Sequence, residues 1–170
     1  LDYAIAQGVN FIDTAEMYPA PPNATTQGRT ETYIGNWLAR RPRDGLVIAT
    51  KVAGPGRRKW IRGGRTDLTR GIIAEAADTS LARLQIDCID LYQIHWPQRN
   101  VPIFGATEFD RAKETTEGPS IDEQVGAMAA LIAAGKIRHY GLSNETAWGV
   151  CAFRRAAREQ GVPGPVTIQN

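Results

Sequence analysis

Asp13, Tyr18, Lys51 and His95 are the residues from which chemistry can be argued. Three of them close short apolar runs: Asp13 follows Phe11 and Ile12, Lys51 follows Ile48, Ala49 and Thr50, and His95 follows Tyr92, Gln93 and Ile94. Tyr18 comes five residues after Asp13, with Pro19 behind it to stiffen a turn. A free phenol is a poor acid at neutral pH because its pKa is about 10. A lysine ammonium about 4 Å away, at an effective dielectric near 20, favours the phenolate by about 4 kcal/mol, or at most about 3 pKa units before desolvation opposes it. The expectation is a Tyr18 acidified by Lys51, a Lys51 kept charged by Asp13, and a neutral His95 that holds a carbonyl oxygen by a hydrogen bond. Such a group donates a proton to an oxygen that is gaining negative charge. No side chain supplies a hydride, so reducing that carbonyl calls for a nicotinamide cofactor. The set has no nucleophile with a matched base, and the two histidines, His95 and His139, lack metal-ligand spacing. His139, beside Arg138, reads as structural.

For these residues to meet, the runs that carry them must be neighbouring strands. The sequence predicts a helix over 1–7 ended by Gly8, a strand over 9–12, and a proline-rich loop over 19–28. A helix capped by Thr30 follows, with Tyr33, Ile34, Trp37 and Leu38 at helical spacing, and then a strand over 46–52. The stretch 54–65 is glycine-rich and basic and reads as exposed loop. A helix from Thr69, an almost wholly apolar strand over 88–95 and a long loop over 96–119 come next. Ser120 and Glu123 form a capping-box pattern ahead of another helix that ends at Gly135. Strand 137–142, helix 145–160 and strand 166–169 complete the chain. Strands alternating with helices, without hairpin signals, specify a parallel sheet with crossover helices. Its closure can be a doubly wound sheet or a barrel of strand–helix units. Length favours the first, but no GxGxxG or GxxxxGK[ST] phosphate cradle is present to support it. In both, polar residues at the carboxyl ends of strands carry the site. Alternation puts Lys51 on one face with Val47 and Ala49, and His95 with Leu91 and Gln93.

Composition agrees with one folded domain over 1–170. With 170 residues, 42% hydrophobic and 22% charged, the chain is neither disordered nor repetitive. It has no apolar stretch of membrane-spanning length and no secretory pattern, which points to a cytoplasmic protein without a membrane partner. Cys88 and Cys151 are far apart and are expected as buried, reduced thiols. A net charge of +2 is too small to imply nucleic acid. The cluster Arg57, Arg58, Lys59, Trp60, Arg62 and Arg65 could in principle stack and bind single strands, but its flanking glycines favour a solvated loop. A Schiff-base role for Lys51 is the chemical rival, disfavoured because Asp13 would hold the amine protonated.

The runs Asp13-Thr14-Ala15-Glu16-Met17-Tyr18, Ala49-Thr50-Lys51-Val52, Asp90 to Pro97 (DLYQIHWP) and Gly141-Leu142-Ser143-Asn144-Glu145 resemble the successive motifs of the aldo-keto reductase superfamily. Phe104-Gly105 in the long loop and Thr167-Ile168-Gln169-Asn170 are similar to its Tas-like branch. The resemblance implies a (β/α)8 barrel, an α/β fold, that binds NADPH at its C-terminal face, NADH not being excluded. It implies Asp13, Tyr18, Lys51 and His95 as a catalytic tetrad, with Tyr18 the general acid in carbonyl reduction. Ser143, Asn144 and Gln169 would contact the nicotinamide carboxamide, and Trp96 would line the pocket or pack beneath the long loop. Some members serve as cofactor-binding regulatory subunits, which leaves a non-catalytic alternative. The family's barrel needs about 250 residues. The chain is therefore expected to be an internal fragment holding about five of eight strands, truncated at both ends, and to bind cofactor weakly or not at all by itself.

Overall fold

β-branched and aromatic residues crowd positions 47–52 and make up half of 89–94, and Ile137, Tyr140 and Leu142 supply the apolar positions of 137–143, compositions that suit extended backbone. In the computed structural model, which describes residues 1–56, 59–103, 105–114 and 117–170, these stretches form the three longest strands. The element order is α1 (Asp2–Ala6), β1 (Phe11–Asp13), α2 (Arg29–Leu38), β2 (Val47–Val52), α3 (Arg70–Leu84), β3 (Ile89–Ile94), α4 (Ile121–Ala133), β4 (Ile137–Ser143), α5 (Ala147–Gln160) and β5 (Ile168–Gln169). The strands lie side by side in chain order and every pair is parallel. Each connection between neighbours carries a helix, as a parallel pair requires.

One face of the sheet is covered and the other forms the concave side. Ile12, Ile48, Val52, Tyr92, Ile94, Tyr140 and Leu142 point outward into one apolar core with Ile34, Leu38, Ile73, Leu84, Met128, Leu131 and Phe153 from the helices. The alternate residues point inward. Lys51, Gln93 and Gly141 are register mates across β2, β3 and β4. A Cβ on Gly141 would lie 2.1 Å from Thr167 Oγ1 and 3.4 Å from Gln93 Cγ, so only glycine leaves room for both neighbours. None of the described helices is long and apolar enough to cross a membrane.

Local chemistry explains the element ends, including those that differ from expectation. Thr69, Ser120 and Thr146 cap α3, α4 and α5 by accepting hydrogen bonds from the backbone N–H groups of Ile72, Glu123 and Gly149. The capping box of α4 is half formed. Glu123 turns away from Ser120 and accepts from the Arg70 N–H at 3.2 Å, tying α4 to the start of α3. Thr30 is not the cap of α2. Gly28, at φ +80°, takes that place, and its missing side chain lets Arg83 cross to Glu31. A Cβ there would lie 2.8 Å from Arg83 Cδ. The stretch 54–65 is not simply exposed, because Ile61 is buried and Arg62 folds inward. Cys151 is exposed and Cys88 half-buried, which corrects the expectation of two buried thiols. Cys151 lies on the outer side of α5, whose buried face is filled by Ala152 and Phe153.

Gly35 fixes the approach of α2 to α3. A Cβ there would lie 2.2 Å from the Arg83 carbonyl oxygen and 2.7 Å from the Leu84 carbonyl carbon, both backbone atoms. Gly35→Ala gains about 1 kcal/mol of helix propensity and loses about 1–3 kcal/mol or more to overpacking. A lower midpoint in urea unfolding is the expected result, and an unchanged or higher midpoint would contradict this packing.

Candidate active site

Backbone pairing to β2 carries β1 and β3 past their formal ends and sets the site on a rigid rim. The Thr14 and Glu16 N–H groups donate to the Ala49 and Lys51 carbonyls at 2.9 and 3.2 Å, and the His95 N–H donates to the Val52 carbonyl at 2.9 Å. Tyr18 follows in a turn whose N–H donates to the Ala15 carbonyl at 3.0 Å. Beneath lies a second apolar cluster of Ala15, Met17, Ala53, Ile61 and Trp96, with Tyr18, Trp60 and Ile103 packed on it.

All four sequence-identified residues meet here. Lys51, 1% exposed, donates from Nζ to Asp13 Oδ2 at 2.5 Å and to the Thr14 carbonyl at 2.8 Å. The same Nζ lies 5.6 Å from the centre of the Tyr18 ring. His95 stands edge-on to Tyr18, ring centres 5.7 Å apart, and its other neighbour Trp96 is at 4.9 Å. Asp13 is also met by two amides: Gln93 Nε2 donates to Oδ1 and Gln169 Nε2 to Oδ2, each at 3.3 Å.

The electrostatic expectation needs revision in one respect. Burial, reinforced by the Asp13 carboxylate, raises the Tyr18 pKa above its ordinary value. Burial likewise lowers that of Lys51, against the opposing pull of its hydrogen bond to Asp13. Thus the resting phenol is not acidified, because burial disfavours the phenolate and the carboxylate that keeps Lys51 charged also faces Tyr18. A raised pKa keeps the phenol protonated, which is the form a proton donor needs.

Of the residues expected at a cofactor, Gln169 is exposed and its Oε1 accepts from Gln93 at 3.3 Å. Ser143, 4% exposed, is in register with Gln169 across β4 and β5. Asn144 sits at φ +52° and donates from Nδ2 to the His95 carbonyl at 2.8 Å and to Ser143 Oγ at 3.1 Å, so its amide braces the strand that carries His95. Trp96 is 5% exposed, donates from Nε1 to the Pro55 carbonyl at 2.9 Å in the loop after β2, and belongs to the cluster on which Ile103 of the long loop packs. It also borders an open pocket of about 330 Å³ with Pro97, Asn100 and Val101.

Three buried carboxylates escaped the sequence reading. Glu16 accepts the Ala53 N–H at 2.6 Å and pairs with Arg62. Its carboxyl pKa is raised by burial, with Arg62 opposing. Glu31 accepts from Thr50 Oγ1 at 2.5 Å and from Arg83 Nε at 2.6 Å, and Glu145 is held by Arg99. The signal that could have flagged them is an acidic residue set in an apolar run, as Glu16 is between Ala15 and Met17. These pairs also bear on the basic loop. Arg62 is bound to Glu16, Arg65 pairs with Glu75 at 2.8 Å, and Trp60 is half-buried against the apolar cluster. Arg57 and Arg58 lie outside the described residues, as does Phe104. Among the described residues no group of three or more His, Cys, Asp and Glu is arranged to hold a metal ion.

Five parallel strands with helices on the outer face and polar groups gathered at one rim make half of a (β/α)8 barrel. The chain belongs to the aldo/keto reductase family, whose model matches residues 1–170. It is 50% identical over 173 residues to the protein Tas of Escherichia coli, covering all of this chain and 49% of that protein. An aldo-keto reductase of Babesia bovis is 41% identical over 131 residues, 73% of this chain and 46% of that one. Among solved structures, a thermostable aldo-keto reductase crystallised with the inhibitor epalrestat superposes with a TM-score of 0.66 at 28% identity, over 98% of this chain and 46% of its own. The chain thus spans about half the length of the relatives it matches.

Proposed function

We propose that this half-barrel carries the proton-handling side of an NADPH-dependent carbonyl reduction in the cytoplasm, with a small aldehyde or ketone as substrate. The carrying observation is the Lys51–Asp13 pair at 2.5 Å with the Tyr18 ring 5.6 Å from the ammonium and His95 against its other side. The residues present fit a nicotinamide. Gln169 is exposed and bound only through 3.3 Å contacts, so its amide can exchange them for a carboxamide, and the Ser143 hydroxyl stands in register beside it. Asn144 supports that edge through the His95 carbonyl. When bound, NADPH supplies the hydride.

The chain's own groups do the rest. His95 orients the carbonyl oxygen by a hydrogen bond, and the protonated Tyr18 hydroxyl gives that oxygen its proton as negative charge builds. Lys51 stabilises the phenolate that results, since the ammonium favours the charged phenol only once the proton has left. Asp13, steadied by Gln93 and Gln169, holds Lys51 in place. Two free thiols accord with a reducing compartment.

The test is oxidation of NADPH by benzaldehyde with the full-length protein and its Lys51→Met variant. Loss of the ammonium leaves Asp13 unpaired and the phenolate unsupported, so kcat falls by about 10²-fold or more. Wild-type protein that binds NADPH but never oxidises it would instead favour a cofactor-sensing subunit.

A further inference from the structure

The long loop after β3 is anchored at its start by a buried ion pair that the proton chemistry does not use. Arg99, four residues beyond His95, donates from Nη1 to Glu145 Oε2 at 2.9 Å, from Nη2 to Glu145 Oε1, and from Nη2 to Thr146 Oγ1 at 3.1 Å. The Glu145 side chain is 2% exposed. Its backbone is gripped from the end of β5, the Glu145 N–H donating to Asn170 Oδ1 at 3.1 Å and Asn170 Nδ2 to the Glu145 carbonyl at 3.0 Å. The outer face of the Arg99 guanidinium lies 4.9 Å from the Trp148 ring centre. Space for this arrangement is built into α5: a Cβ on Gly149 would fall 2.2 Å from Glu145 Cδ and 2.3 Å from Arg99 Nη2. On the opposite side Gln98 accepts the Leu68 N–H at 2.8 Å and donates to Asp67 at 3.1 Å. Residues 98 and 99 are thus pinned between two turns of the rim, and the pocket wall that begins at Trp96 continues through them to Val101.

We propose that the Arg99–Glu145 pair is a specificity-determining latch: it fixes the wall formed by Trp96 to Val101 and so decides whether the site accepts a bulky, flat carbonyl compound. The inference rests on the reading of the site as a carbonyl reductase. The wall joins the catalytic rim at Trp96, whose ring centre is 4.9 Å from that of His95; in this proposal a small aldehyde needs only Tyr18 and His95, whereas a fused-ring substrate extends past Trp96 onto the wall. A bidentate guanidinium cannot be replaced by the point charge of lysine, so Arg99→Lys releases the wall without removing charge. A lone Glu145 would be buried unpaired, which threatens folding. The double variant Arg99→Met with Glu145→Leu removes both charges at similar volume and guards against that outcome.

Two measurements on the full-length protein test this. With NADPH, KM for 2-acetonaphthone is expected to rise about tenfold in Arg99→Lys and in the double variant, while kcat/KM for propanal stays within about twofold. Without cofactor, quenching of tryptophan fluorescence by 2-acetonaphthone should show the same tenfold weakening, independent of turnover. Equal losses for both carbonyl compounds, or unchanged 2-acetonaphthone binding in both variants, would overturn the latch. Failure of the wild type to reduce either compound, with 2-acetonaphthone binding intact and weakened by the variants, would overturn the reductase reading and leave the wall-setting role standing.

Discussion

Tyr18→Phe removes the proton donor and lowers kcat for aldehyde reduction by about 10²–10⁴-fold, the range that a positioned general acid contributes. The ring itself packs on the cluster of Ala15, Met17, Ala53, Ile61 and Trp96, and phenylalanine preserves that contact. Stability and NADPH affinity should therefore stay near wild type, and a kcat within a factor of three of the parent would remove Tyr18 from the chemistry. The pH dependence of the wild type has a definite sign. Burial and Asp13 raise the phenol above its usual pKa, and burial lowers that of Lys51. The phenol, raised above an ordinary value of about 10, holds its proton through neutral pH, so reduction should not increase as pH rises. It declines with rising pH as Lys51, whose hold on its proton burial weakens, and Tyr18 deprotonate. An increase in reduction over that rise would contradict the assignment.

Arg62→Met destabilises the fold by about 3–5 kcal/mol, the cost of leaving a buried charge without its partner. Glu16 is 1% exposed, and the Arg62 side chain is 7% exposed. Burial already pushes the Glu16 carboxyl pKa upward against the pull of Arg62, so losing the guanidinium raises it further and makes the buried carboxylate still less favourable. The second oxygen of Glu16 carries the Ala53 N–H at 2.6 Å. Glu16→Gln added to Arg62→Met keeps an acceptor for that N–H while removing the orphaned charge, and should recover a large part of the loss. Urea unfolding of the single and double variants measures this. Full stability in Arg62→Met would show that the pair does not hold the Tyr18-bearing turn to β2.

The parts of this site legible in the sequence are those governed by period-two alternation. Asp13, Lys51 and His95 fall at strand ends because the runs before them are apolar and short, and adjacent parallel strands follow from helices between them. Leu91, Gln93 and His95 shared a face on paper, and Gln93 does reach the inner side of the sheet. Apart from Asp13–Lys51, which two strand ends announce, the buried ion pairs are not legible, since Glu16 and Arg62 are 46 residues apart, Arg99 and Glu145 likewise, and Glu31 and Arg83 are 52 apart. No local pattern announces a partner at that distance. Gly28 displaced Thr30 as the cap of α2 because Arg83, a residue from α3, needs the space over it. The direction of the Tyr18 shift depends on how deeply the ring is buried and on which charge faces it, and both are settled by tertiary packing.

Asp13, Tyr18, Lys51 and His95 all come from β1, β2 and β3 or the turn after β1, whereas Ser143, Asn144 and Gln169 come from β4 and β5. The acid–base equipment is therefore contiguous along the gene. Recombination between diverged relatives within the loop before α4 would transmit that equipment intact from one parent. A hybrid must still match at the β3–β4 pairing, at Arg99–Glu145, Asp78–Lys136 and Asp90–Arg138, and where Asn144 and Gln169 reach the His95 carbonyl and Asp13, so the proton-delivering groups travel together while part of their support comes from the other parent.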